Sequence, residues 1–237
     1  MNASPAAAPA RSLAAVLAFA ALIVCVAMGI RHTFGLFLTP MSMEHQWNRE
    51  VYSFALALQN LMWGATQPFA GFLADRFGAK RVLWGASAMY ALGLLGMAYA
   101  STGTGLAATA GVLIGASQSG CTYSVVFAAL GALVPEARRA WAMGVVAAAG
   151  SFGQFLMIPV ASQLIGGLGW FGTLLVFSAA ALLIMPLGSA LTRGLVAAAA
   201  SRGQTGGEAL REAMREKGYL LLNIGYTLGL KHIVLLD

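Results

Sequence analysis

Apolar residues run along this chain in long unbroken stretches instead of alternating with polar ones. Six of these runs are long enough for a bilayer-crossing helix, which takes about 20 predominantly apolar residues. They lie near Ala14–Leu38, Val51–Leu73, Val82–Ala100, Leu106–Val134, Ala142–Ile165 and Trp170–Leu191. A seventh begins at Gly218, and its apolar stretch from Tyr219 ends at Lys231, too short to span. Strands of a membrane barrel would alternate over about ten residues. The pattern therefore predicts an all-α integral membrane protein, a bundle of six transmembrane helices followed by a truncated seventh span.

The polar remainder divides the chain. Residues 1–12, including "NASPAAAPA", read as a disordered tail. Residues 13–191 form the six-helix membrane domain. Residues 192–217 are the one long connection, and 218–237 hold the incomplete span. Within the connection, "EALREAMREKG" sets Leu210, Ala213 and Met214 on one side and Glu208, Arg211, Glu212 and Arg215 on others. This pattern predicts an amphipathic helix at the membrane surface or a solvated linker with helical tendency. Arg11 before an apolar stretch resembles the opening of a cleaved signal peptide. The stretch is too long for one and has no cleavage region, so the first span is expected in the mature protein.

Composition agrees with a lipid solvent. Hydrophobic residues make up 59% of the 237 positions and charged residues 9%, against about 25% charged in soluble domains. The net charge of +6 is placed for membrane topology, not for nucleic acid. Arg76, Lys80 and Arg81 follow the second run, and Arg138 and Arg139 the fourth. Arg193, Arg202, Arg211, Arg215 and Lys217 follow the sixth. Among the opposite connections only Arg49 is basic. Because cytoplasmic loops gather Lys and Arg, the amino terminus is expected in the cytoplasm. Cys25 and Cys121 both fall within spans, without metal-ligand spacing, and say nothing about redox compartment.

A shift of 91 positions aligns "PFAGFLADRFG" (68–78) with "PVASQLIGGLG" (159–169), the ends of runs two and five. Runs one to three would thus recur as four to six. Three spans per copy invert the second copy in the membrane, as in many transporters. The charges of the first segment then lie inside and their uncharged counterparts outside, as the charge rule requires.

Between runs two and three stand Gly71, Asp75, Arg76, Gly78, Lys80 and Arg81, with Ala79 where a basic residue is usual. This resembles the loop signature of the major facilitator superfamily, over residues 13–191. The resemblance implies the amino-terminal half of a twelve-helix secondary transporter working by alternating access, with these six residues as a conformational latch. It also implies a carboxy-terminal half as partner. Gly71 permits close helix approach, and the Asp75 carboxylate suits a neighbouring helix amino terminus. The alternative is an inner loop held by charge alone.

Within the superfamily, drug–proton antiporters carry an arginine three residues before a span-four glutamine; here Gly115 precedes Gln118. Their span-five glycine–proline pair is likewise replaced by "MIPVASQ" around Pro159. By contrast, "GIRHTFGLFLTPM" and "PEARRAWAMGVVAAAGSFGQ" resemble the monocarboxylate transporters and oxalate–formate antiporters. The cargo so implied is a small organic anion. Arg31 is its expected receptor, since a guanidinium stays charged and grips a carboxylate with two hydrogen bonds. The alternative has Arg31 reaching the outer headgroups; His32 is expected to face a neighbouring helix, the alternative being a protonation role.

The remaining polar candidates are neutral. Gln59, Gln118 and Gln154 are expected to line the path or to join helices by hydrogen bonds. Gly111, Gly115, Gln118, Ser119 and Thr122 share one face of run four, a pattern that also serves packing. No Asp or Glu lies within the six runs, so a carboxylate proton relay is not expected there. Nor do the spans hold paired carboxylates, Ser/His or metal-ligand sets, so neither an enzyme nor a cofactor is expected. The expected setting is a cell membrane, of bacterial inner-membrane type, crossed several times. The competing readings are a carrier of another small solute and a membrane-embedded interaction protein that transports nothing.

Overall fold

The computed structural model describes residues 12–193. The regular structure among them is helical throughout. Ser12 starts α1 (Leu13–His32) by accepting the Ala15 amide on its hydroxyl, a serine N-cap. Thr33 interrupts the helix, and α2 (Phe34–His45) continues past Pro40 to a left-handed Gln46. Leu13–His45 is one apolar stretch of 33 residues, about 50 Å at 1.5 Å per residue. Hydropathy alone places its end near Leu38. The helix continues because Met41 is buried against the bundle although Thr39, Ser42 and Glu44 are polar.

The next elements are α3 (Arg49–Phe77) and α4 (Ala79–Ala98). They meet at Gly78, whose φ of +86° is a conformation open to glycine and strained for other residues. Then α5 (Gly103–Leu106) passes into a π-helical turn, Ala107–Leu113, and into α6 (Ile114–Cys121). Thr122 leaves helical geometry before α7 (Tyr123–Leu133). The fifth apolar run and the first part of the sixth fall within one element, α8 (Glu136–Leu182), broken by Gly169 at φ +71° and ψ 171°. Short α9 (Ile184–Thr192) completes the second arm.

Among the described residues, four stretches are long and apolar enough to cross a membrane: Leu13–His45, Ala79–Ala98, Gly103–Leu133 and Glu136–Thr192. The second expected run forms α3, 29 residues long, which is not one of the four. It falls short in apolarity because Gln59, Asn60 and Gln67 stand within it. Of the expected tail only Ser12 is described, and of the expected linker only Thr192 and Arg193. The amphipathic segment and the seventh run lie outside the described residues.

Close helix contacts are made at glycine, as lipid-embedded packing favours. A side-chain carbon placed on Gly153 would lie 2.7 Å from Cys25 Cα, and one on Gly29 would lie 2.9 Å from the Gly153 carbonyl oxygen. These positions seat α1 on the first arm of α8. On the other side, one on Gly115 would lie 2.6 Å from the Gln59 carbonyl, seating α6 on α3. Between α4 and the second arm of α8, Ser87 donates to the Ala181 carbonyl at 2.7 Å. Ser178 donates back to Ala91 at 2.9 Å.

Candidate functional site

Arg31 sits in the last turn of α1 but near the middle of the Leu13–His45 stretch. It is 18 residues from the first end and 14 from the other, about 27 and 21 Å along the axis. The side chain reaches α3, also near that helix's middle. Its Nη2 donates to Asn60 Oδ1. Its guanidinium carbon lies 4.3 Å from the Trp63 ring centroid, a cation–π stack. Arg31 Nε is buried and has no hydrogen-bond partner. A cation otherwise costly among apolar helices thus has an aromatic wall, one neutral acceptor and one buried donor without a partner.

Each neighbour is itself held. Asn60 Nδ2 donates to the Leu56 carbonyl at 2.9 Å, which turns the amide oxygen toward Arg31. The Trp63 indole nitrogen donates to Thr122 Oγ1 at 3.4 Å, and that hydroxyl donates to the Gln118 carbonyl at 2.6 Å. The break after α6 therefore fixes the indole that lies under Arg31. Gln59 is buried and donates to the Ala110 carbonyl at 3.0 Å, within the π-helical turn. A π turn displaces one carbonyl from the regular ladder and leaves it free for such a partner.

A cavity of about 160 Å³ opens at this point. Arg31, His32, Gln59 and Asn60 form its polar side, and Phe34, Gly35 and Leu56 the rest. His32 is exposed beside it. Chemically, the cavity offers one fixed positive charge, two amides and an apolar wall, which suits a small anion with a short carbon skeleton.

Of the four expected binding residues, the structure brings Arg31 and Gln59 together. Gln118 is fully buried in α6, and neither atom of its amide makes a hydrogen bond of standard geometry; the amide lies only in loose reach of the Tyr90 hydroxyl. That hydroxyl donates to the Ala27 carbonyl at 3.2 Å. Gln154 is half-buried on α8 beside Gly153 and does not line the cavity. Asn60 and Trp63 were not singled out from sequence. Both share a helix face with Leu56 and Gln59, and a polar pair within an apolar run was the signal available.

The loop signature lies apart from the cavity. Asp75 is exposed and makes no hydrogen bond or ion pair among the described residues. Arg76 lies 5.4 Å from the Phe77 ring and Lys80 5.0 Å from the Trp84 ring. Arg81 is exposed, its backbone amide bonded to the Gly78 carbonyl at 3.2 Å. A side chain placed on Gly71 would meet nothing within 4 Å. Within the described residues, the close approach expected at Gly71 is therefore not made. Among those residues no group of three or more His, Cys, Asp or Glu is arranged to hold a metal ion.

The family model described as Major Facilitator Superfamily matches residues 17–231. No curated protein matches the chain.

Proposed function

The chain belongs to the Major Facilitator Superfamily of membrane transporters, and on that premise we propose that it carries small organic anions. The cargo class is of monocarboxylate or oxalate/formate type, and Arg31 is its receptor. One observation carries this reading: Arg31 lies near the middle of the Leu13–His45 stretch and reaches the middle of α3, beside a cavity, with Nε unpaired. Superfamily carriers bind cargo near the bilayer midplane, and a guanidinium there answers to a carboxylate. Its bond to Asn60 and its stack on Trp63 weigh against a side chain that merely reaches outward to headgroups. Gln59 lines the same cavity, Gln118 supplies a free amide, and Gln154 extends the path on α8.

We further propose six passes built as two inverted copies of three, with the break at Gly169 separating the fifth pass from the sixth. The 91-residue shift supports this through contacts. It carries Val24 onto Gly115 and Gln59 onto Gly150. Val24 packs at Gly150, and Gln59 packs at Gly115. It also carries Ser87 onto Ser178, the two hydroxyls that donate reciprocally across their helices. In this proposal a second six-helix half completes the site, and Asp75 with its neighbours latches onto that half from the cytoplasmic side. The free Asp75 and the open face at Gly71 fit such a partner. The amino terminus is then cytoplasmic, in a cell membrane of bacterial inner-membrane type.

The test is uptake of labelled propanoate and oxalate into liposomes by the carrier with both halves present. Breaking a desolvated charge pair costs about 2–5 kcal/mol, so Arg31→Gln is expected to lower uptake by about thirtyfold or more. Arg31→Lys keeps the charge without the fork and is expected to fall between. Equal uptake by Arg31→Gln, with equal insertion, removes Arg31 from the site.

A further inference from the structure

We infer that Asn60 is a built-in stand-in for the cargo carboxylate, and that cargo binds by displacing it from Arg31. The inference rests on the reading of Arg31 as the anion receptor and adds how that receptor is held when empty. A carboxylate grips a guanidinium along one edge, with two oxygens on two nitrogens. Nε and Nη2 form one such edge. In this structure Nη2 donates to Asn60 Oδ1 while Nε, on the same edge, has no partner. The edge is half used. A neutral amide oxygen supplies a single acceptor, whereas a carboxylate supplies two and carries charge. Hydrogen bonds with both partners charged are shorter and stronger than those to a neutral acceptor.

The geometry sets anion and amide in competition for Nη2, the nitrogen shared by both bidentate edges of a guanidinium. Trp63 covers one face of the guanidinium, so an anion must come in along an edge. The Leu56 carbonyl accepts from Asn60 Nδ2, which turns the amide oxygen toward Arg31 in the empty site. An anion on the Nε–Nη2 edge therefore has to take the place of Oδ1. Asn60 is exposed on the cavity side, so it has room to move away. Two consequences follow. The empty carrier does not leave a bare cation among its helices, and the amide sets a threshold that weakly accepting neutral solutes fail to pass. Asn60 is thus a positioning and specificity-determining residue, acting through Arg31.

The experiment uses the carrier with both halves present, in lipid nanodiscs. Phenylglyoxal modification of Arg31 is followed by mass spectrometry, with propanoate and oxalate as protecting anions. A hydrogen bond to a charged group is worth about 1.5–3 kcal/mol, so Asn60→Ala is expected to reach half-protection at an about tenfold lower anion concentration. Asn60→Asp places a permanent carboxylate on the edge and is expected to abolish protection by either anion. Asn60→Ser, too short to reach Arg31, is expected to behave as Asn60→Ala and serves if that variant folds poorly. Anion protection that is unchanged or weaker in Asn60→Ala and Asn60→Ser overturns the stand-in role and leaves Arg31 as receptor. Absence of protection in the unsubstituted chain overturns both.

Discussion

At the scale of single residues, the chemistry centres on polar groups whose bonding is incomplete. Arg31 Nε and both amide atoms of Gln118 are buried without hydrogen bonds of standard geometry, and a buried unpaired group costs about 1–3 kcal/mol. Gln118→Leu keeps the volume and removes the unpaired atoms. It is expected to raise the thermal midpoint of unfolding, by stabilisation of about 1 kcal/mol or more, while lowering carboxylate uptake. A drop in that midpoint, read in detergent by tryptophan fluorescence, would instead make the amide a structural hydrogen bonder. Arg31 and Gln59 are legible in the sequence because each is polar within an apolar run. Asn60 is less so, since a single amide beside another reads as the same feature. Trp63 is illegible as a site residue: it looks like any large apolar side chain until the helix register puts it under a guanidinium.

At the scale of elements, glycine positions decide which helices touch. Gly153 faces the backbone of Cys25, and a flexible side chain cannot give way there because the nearest atoms include main chain. Overpacking of this kind costs about 1–3 kcal/mol. Gly153→Ala is therefore expected to separate α1 from α8 and to lower the midpoint of thermal unfolding. Gly166→Ala meets nothing within 4 Å and gains helix propensity of up to about 1 kcal/mol. It is expected to leave that midpoint unchanged or slightly raised. Equal effects of the two substitutions would contradict the contact at Gly153. Hydropathy located the helices well but not their interruptions. The π turn at Ala107–Leu113 and the break at Thr122 lie against α3, where Gln59 donates to the Ala110 carbonyl and Trp63 to the Thr122 hydroxyl. The end of α2 was likewise missed, since contact with the bundle carries the helix beyond the apolar run.

At the scale of the whole molecule, membership of the superfamily and the membrane setting follow from the family match and the four apolar stretches. The charge asymmetry and the weak repeat in the sequence pointed the same way, because both record how a chain is threaded through lipid. Cargo is harder to read, since it depends on which side chains the register gathers at one depth. The central claim is that Arg31 holds a carboxylate directly at that depth. It is tested by solid-state NMR of the reconstituted carrier, with ¹⁵N in the arginine guanidinium groups and ¹³C in the carboxyl group of propanoate. The account predicts a dipolar coupling of direct hydrogen-bond contact, present in the unsubstituted carrier and lost in Arg31→Gln. The same coupling persisting in Arg31→Gln, or no coupling in either protein under saturating anion, would contradict it.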